Sequence, residues 1–408
     1  MSSENGTLHK DEKTTLGGQV VVIAAGIGIV FLIISAVLGS MQGDGMRRFM
    51  FSYLVAFAFF LSIALGALWT VILEHLVGAH WSIVVRRIAE LITATFPMLA
   101  ALSLVILIPL LFGSEVLYFW TTAAADHDHL VHAKLGYLNP TFFSIRLVGY
   151  FTFWILVSRH FFKKSLEQDK SGDIAISKVL RRHAGPSMIA FAFTTAFGSF
   201  DLLMSLYPAW YSTMFGVYFF AGCIIAIYAT LSLTAMVLQR SGRLVHSITV
   251  EHYHDLGKML FAFVFFWGYV AFSQFMLIWY ADLPEETIWF RNRIYGHWSG
   301  LSLVILFGHF IIPFVILMSR WSKRILPLLA ALSTWMLVMH YGDLFWIVMP
   351  EYANAEFPDH TWFMLMDVTI VLGIGGLVVA AAANAARGRQ LIPIKSPLLG
   401  KSLNFENY

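Results

Sequence analysis

The sequence predicts an all-α protein that crosses a membrane about ten times. Three observations carry this expectation. The 408 residues are 58% hydrophobic and only 12% charged, with a mean hydropathy of +0.72. Apolar runs recur along nearly the whole chain, each close to the roughly 20 residues a helix needs to span a bilayer. The runs are continuous rather than alternating, as helices require and a lipid-facing β-barrel does not.

Taken in order, the spans fall at about 20–38, 49–73, 87–112, 140–161, 185–206, 211–237, 258–281, 298–318, 325–348 and 362–385. They leave an N-terminal tail at 1–19, one ten-helix membrane domain at 20–385 and a C-terminal tail at 386–408. The first run is longer than a signal-peptide core and has no A-x-A site behind it, so it reads as a retained span. Small residues gather in the first and last spans, AAGIG at 24–28 and GIGG at 373–376, where they allow close helix contact or docking to a neighbour. Trp and Tyr collect at span ends (Trp210, Trp279, Trp298, Trp346, Trp362), as amphipathic rings do at a membrane interface.

Charge placement sets the orientation. Of 27 Lys and Arg, five (Arg47, Arg48, Lys134, Arg291, Arg293) lie in the linkers after odd-numbered spans and Arg146 lies inside a span. The other 21 lie on the opposite side, which places both termini in the cytoplasm of a bacterial inner membrane. The far side is acidic, with Asp44, Glu115, Asp126, Asp128, Glu285, Glu286, Glu351, Glu356 and Asp359. A net charge of +3 gives no reason to expect nucleic acid as a partner; lipid is the surrounding phase.

Ionisable groups inside a bilayer are costly and need a partner, a water path or a task. Asp201 and Arg146 lie on consecutive antiparallel spans, both about 8–9 Å from the outer surface at 1.5 Å per residue, so an ion pair is expected. His340 and Asp343 are three apart and share a helix face. Asp367 enters the last span at a depth like that of Asp343, on a helix expected beside it, and His309 lies nearer the midplane. Glu90 is the counterpart near the cytoplasmic side. Two readings are open. In one, these seven groups line a proton path or a quinone headgroup pocket. In the other, they are fixed ion pairs and packing groups.

No redox centre is expected in this chain. The single cysteine, Cys223, cannot supply a disulfide, a four-cysteine cluster or a CxxCH haem site. Only His309 and His340 lie deep, and at different heights, so the paired imidazoles of a two-haem bundle are missing. The runs DHDHLVH (126–132) and HSITVEHYHD (246–255) lack diagnostic metal-ligand spacing. A secondary transporter would show helices interrupted mid-membrane, and none is evident.

The stretch AFGSFDLLMSLYPAWYSTMFGVYFFAG at 196–222 resembles the join between the fifth and sixth helices in membrane subunits of alternative complex III. HWSIVVRRIAELI and KLGYLNPTFFSIRLVGYF are similar to the same family, so the likeness runs from the second span to the tenth. These subunits belong to the NrfD-type, polysulfide-reductase-like membrane proteins. The resemblance implies two four-helix bundles between flanking helices. It also implies a sister ten-helix subunit, c-type cytochrome subunits and an iron–sulfur subunit that carry the haems and clusters of a quinol-oxidising complex. Asp201 and Arg146 fall on the family's buried aspartate and fourth-helix arginine. The family's complex holds two ten-helix subunits, of which one abuts the iron–sulfur chain. Tyr211, Gly216 and Val217 depart from that one and point to the other, for which proton half-channels have been proposed.

Overall fold

A computed structural model describes residues 15, 18–44, 46–353 and 364–407. Glu356, Asp359, Trp362 and nearly all of the N-terminal tail lie outside the described residues. Among the described residues, ten helical stretches are long and apolar enough to cross a membrane. Seven are single helices: α1 (Gln19–Ser40), α2 (Arg47–Val77), α6 (Pro140–Ser171), α8 (Phe215–Arg240), α9 (Val250–Ala281), α14 (Leu326–Ala353) and α15 (Leu365–Ala386). Helix α7 (Ile174–Leu202) runs on into a short 3-10 turn at Met204–Leu206.

The remaining two spans are interrupted, which corrects the expectation of unbroken helices. The third divides into α3 (Ile83–Thr93) and α4 (Phe96–Leu111). Pro97 opens α4 without an N–H to give the preceding turn; the Thr93 hydroxyl bonds the Glu90 carbonyl at the end of α3, and the Thr95 hydroxyl bonds the Ile92 carbonyl at the break. The eighth consists of α11 (Ser299–Ile305) and α12 (Ile312–Met318), joined by a π-helical turn at Leu306–Ile311. That turn places His309 inside the protein. The Trp335 indole N–H donates to the Gly308 carbonyl at 2.7 Å, satisfying a backbone group displaced by the wider turn.

Local chemistry fixes the helix ends. Asn139 caps α6 by accepting from the Phe142 N–H, Pro140 takes the first helical position, and Gly172 stops the helix at φ +72°. Asp173 then caps α7. Two residues of the histidine-containing linkers act as caps or ties. Asp128 caps the short α5 (His129–His132). The His252 ring accepts from the Thr249 N–H through Nδ1, and so donates through Nε2 to the Ser402 carbonyl, 3.0 Å away. Short linker helices complete the chain: α10 (Pro284–Ile294), α13 (Arg320–Arg324) and α16 (Leu399–Leu403).

Packing divides the spans into two four-helix bundles with a flanking pair. Helices α2, α3–α4, α6 and α7 form one bundle; α8, α9, α11–α12 and α14 form the other. Helix α2 also packs on α8 and α14, so it lies at the seam, and 94% of its apolar window is buried. Helices α1 and α15 pair closely outside the bundles. A Cβ on Gly376 would sit 2.6 Å from the Gly28 nitrogen, and one on Gly28 would sit 2.8 Å from the Leu377 nitrogen. The small residues of the terminal spans therefore serve each other, while Val22, Ile23 and Ile33 on α1 face outward. The C-terminal segment is packed rather than loose: Leu391 and Ile392 are buried, and Ser402 bonds the Trp81 carbonyl at 2.9 Å.

Candidate functional site

An even number of crossings leaves the two described ends of the chain on one side, where Thr15 bridges Gln390. We refer to that side as the terminal end and to the other as the distal end.

Three arginines near the distal end hold acids in separate pairs. Arg146 grips Asp201 through two hydrogen bonds of 2.9 and 2.8 Å, donates to the Tyr137 carbonyl at 2.9 Å and lies against the Tyr137 ring. Tyr150 gives Asp201 a further bond of 2.8 Å. The pair expected from equal depth is present, and Asp201 is 1% exposed. Arg48 grips Asp367 at 3.1 and 2.7 Å, also touches Ser52, and is wholly buried with its partner. Arg293 bonds Glu351 at 2.8 Å and the carbonyls of Ile347, Trp289 and Trp346. Burial of Arg293 lowers its pKa from the usual arginine value, against the pull of Glu351.

Those pairs correct two expectations. Helix α15 packs on α1 and α2 rather than along α14, so Asp367 meets Arg48 and does not join Asp343. The seven groups also do not gather in one place: Asp201, Asp367 and Glu90 stand in ion pairs apart from Asp343, His340 and His309. Asp201 and Asp367 are each enclosed by their own arginine, because a guanidinium fork on a neighbouring helix matches a carboxylate more closely than any distant group can.

Asp343, His340 and His309 form a different kind of group. They lie deeper, where the second bundle meets α2, and no cation pairs with Asp343 among the described residues. The Tyr218 hydroxyl on α8 donates a hydrogen bond to Asp343. Trp267 lies between Tyr218 and His309, with ring centroids 5.4 and 4.2 Å away. His309 is fully buried and neither ring nitrogen has a partner. Its ring centroid is 6.3 Å from that of His340.

The bonding around His340 fixes its tautomer. The Ser62 hydroxyl on α2 gives its proton to the Phe59 carbonyl at 2.7 Å. The 2.8 Å contact from Ser62 Oγ to His340 Nε2 is therefore donated by the imidazole. The Nδ1 lone pair is left buried and unpartnered beside Gly222, where a Cβ would come within 3.0 Å of it. Among the described residues the cluster thus offers a carboxylate without an ion pair and three buried ring nitrogens without a hydrogen-bond partner. Such groups can exchange protons with one another or with an ordered water.

Glu90 lies at the terminal end, clamped by Arg87 at 2.8 Å and Arg86 at 3.5 Å; Arg87 also bonds Asp169 at 2.6 Å. At the distal end a cavity of about 380 Å³ opens between the bundles, lined by Arg47, Phe51, Glu115, Asp128, Tyr207 and Glu351. Among the described residues, no three His, Cys, Asp or Glu side chains converge to hold a metal ion. Residue-by-residue reading misses Arg48, Ser62, Tyr218 and Arg293. A usable signal is present for two: Arg48 immediately precedes an apolar run, and Ser62 begins a small or polar residue at every fourth position along α2. No protein-family model and no curated protein matches the chain.

Proposed function

We propose that this chain is a membrane subunit of a respiratory quinol-oxidising complex of the alternative complex III type. Of the two ten-helix positions in such a complex, it takes the one away from the iron–sulfur chain. In this reading it couples proton movement to electron transfer carried out on other subunits. Its neighbours are a sister ten-helix subunit, c-type cytochrome subunits and an iron–sulfur subunit, which hold the haems and clusters. It lies in a bacterial inner membrane with the terminal end in the cytoplasm and the distal end facing the periplasm.

The observation that carries the coupling role is the contrast between two classes of buried ionisable group. Asp201, Asp367 and Glu90 each have an arginine as counter-ion. Asp343, His309 and His340 have no ion pair among the described residues; Tyr218 bonds Asp343 and touches Trp267, Trp267 touches His309, and the His309 and His340 ring centroids are 6.3 Å apart, a spacing that ordered waters can bridge into a proton relay. The motif likeness at residues 80–92, 134–151 and 196–222 supports the family, and two four-helix bundles with a flanking pair agree with it.

The test begins with affinity purification from native membranes. A multi-subunit complex bearing haem is expected, and a chain that purifies alone with transport activity overturns the assignment. In proteoliposomes, Asp343→Asn should lower the protons released per electron. If Asp343→Asn complexes assemble, transfer electrons and release protons as the wild type does, the chain is a scaffold for the redox subunits.

A further inference from the structure

Helix α2 carries a second feature that begins at the relay and leads away from it. Ser62, Gly66, Thr70 and Glu74 recur at every fourth position and so share one face. The stripe covers about 18 Å at 1.5 Å per residue. It faces α8: a Cβ on Gly66 would lie 2.2 Å from the Cys223 carbonyl oxygen, and Tyr228 faces Thr70 and Glu74. The Thr70 hydroxyl donates to the Gly66 carbonyl at 2.9 Å.

Glu74 ends the stripe near the terminal side and is 5% exposed. Its carboxyl has no ion pair among the described residues, and Oε2 is fully buried without a hydrogen-bond partner. His75 Nε2, also buried, has no partner either, and the Ser82 hydroxyl faces the Glu74 carboxyl. The charges facing Glu74 are Arg86 and Glu90, and Arg86 is turned toward Glu90. A buried carboxylate whose nearest cation, Arg86, is turned to another acid is expensive, and a proton is a counter-charge that fits this site.

We propose that Glu74 is the proton-binding group through which the relay is loaded from the terminal side. The inference rests on the proton-coupling reading above. A proton from the aqueous phase at that end binds a Glu74 carboxylate oxygen and forms the acid. The acid then gives it up along the α2–α8 seam, past Thr70 and Tyr228, to the free Nδ1 of His340, and the carboxylate is restored. No electrons move in this step. Where Gly66 meets the Cys223 carbonyl the seam is too tight for water, so α2 and α8 must part for a proton to pass. The same contact keeps the resting protein from leaking.

The experiment compares three variants of the intact complex in proteoliposomes, reading protons moved per electron. Glu74→Gln should lower the ratio to the protons that quinol oxidation releases by itself, because a positioned proton-transfer group is removed. Glu167→Gln, on an exposed surface ion pair, should keep it. If Glu74→Gln keeps the wild-type ratio while Asp343→Asn loses it, the role of Glu74 is refuted and the coupling reading stands. If both keep it, the coupling reading fails and this inference with it. Should Glu74→Gln not assemble, the native complex is treated with a hydrophobic carbodiimide, which adds to protonated carboxyls in apolar surroundings. Labelling of Glu74 with loss of proton movement is expected, and an unlabelled Glu74 overturns the proposal.

Discussion

Arg48, at the start of α2, and Asp367, at the start of α15, form a fully buried bidentate pair that joins the flanking helices to the bundles. Met349 of α14 touches the same guanidinium at 3.8 Å. Asp44 accepts both from the Arg48 backbone N–H and from the Tyr352 hydroxyl. One arginine therefore ties three helices at their distal ends.

Breaking that pair leaves a charge buried without its partner, which costs about 3–5 kcal/mol. Arg48→Met and Asp367→Leu should each lower thermal stability in detergent by an amount of that order. The double substitution should recover most of the loss, since it removes both charges. A double variant no more stable than either single one would show that the pair is not the main tie.

Arg146 and Asp201 make a second prediction through geometry rather than charge. Lysine keeps the charge but has no planar fork, so Arg146→Lys cannot bond both carboxylate oxygens and the Tyr137 carbonyl together. A loss of about 1.5–3 kcal/mol is expected, the range for hydrogen bonds to charged groups, read from the unfolding midpoint of the purified protein. Unchanged stability would mean that the pair is solvated in the native membrane.

That pair is legible in the sequence, and the other two distal pairs are not, for a physical reason. Hydropathy gives depth along the membrane normal, and consecutive antiparallel helices are usually neighbours, so Arg146 and Asp201 follow from two depths. Depth does not give direction around the helix or the packing partner. It therefore sets Asp367 beside Asp343, although α15 turns its face to α1 and α2. Arg48 and Arg293 read as linker charges because they adjoin apolar runs, yet both are 0% exposed. Glu74 falls just outside a span drawn to residue 73, whereas α2 runs to Val77.

The π turn at His309 depends on Trp335, whose indole N–H occupies the Gly308 carbonyl. Trp335→Phe keeps an aromatic ring and removes the donor, leaving a carbonyl short of a partner at a cost of about 1–3 kcal/mol. The expected result is lower stability together with altered proton release, because the turn sets the direction of the His309 ring. A stability loss with normal proton release would separate the turn from the relay.

Helices α1 and α15 approach until Gly28 and Gly376 meet backbone to backbone. Gly376→Leu must push the pair apart, and overpacking of this kind costs about 1–3 kcal/mol. Protease accessibility of the α1–α2 linker should rise, while the bundle containing Asp343 keeps its proton release. Loss of proton release in Gly376→Leu would extend the functional unit to the flanking helices.

Tyr218 and Asp343 test the relay as a unit. The tyrosine hydroxyl donates to Asp343, which has no ion pair among the described residues. Tyr218→Phe should therefore lower proton release in the same direction as Asp343→Asn. Residues joined by one hydrogen bond are not independent, so the double variant should lose little more than the larger single effect. Additive losses would mean that each residue serves a separate route. In that case the geometry linking Asp343 to His309 through Tyr218 and Trp267 would have no part in moving the proton.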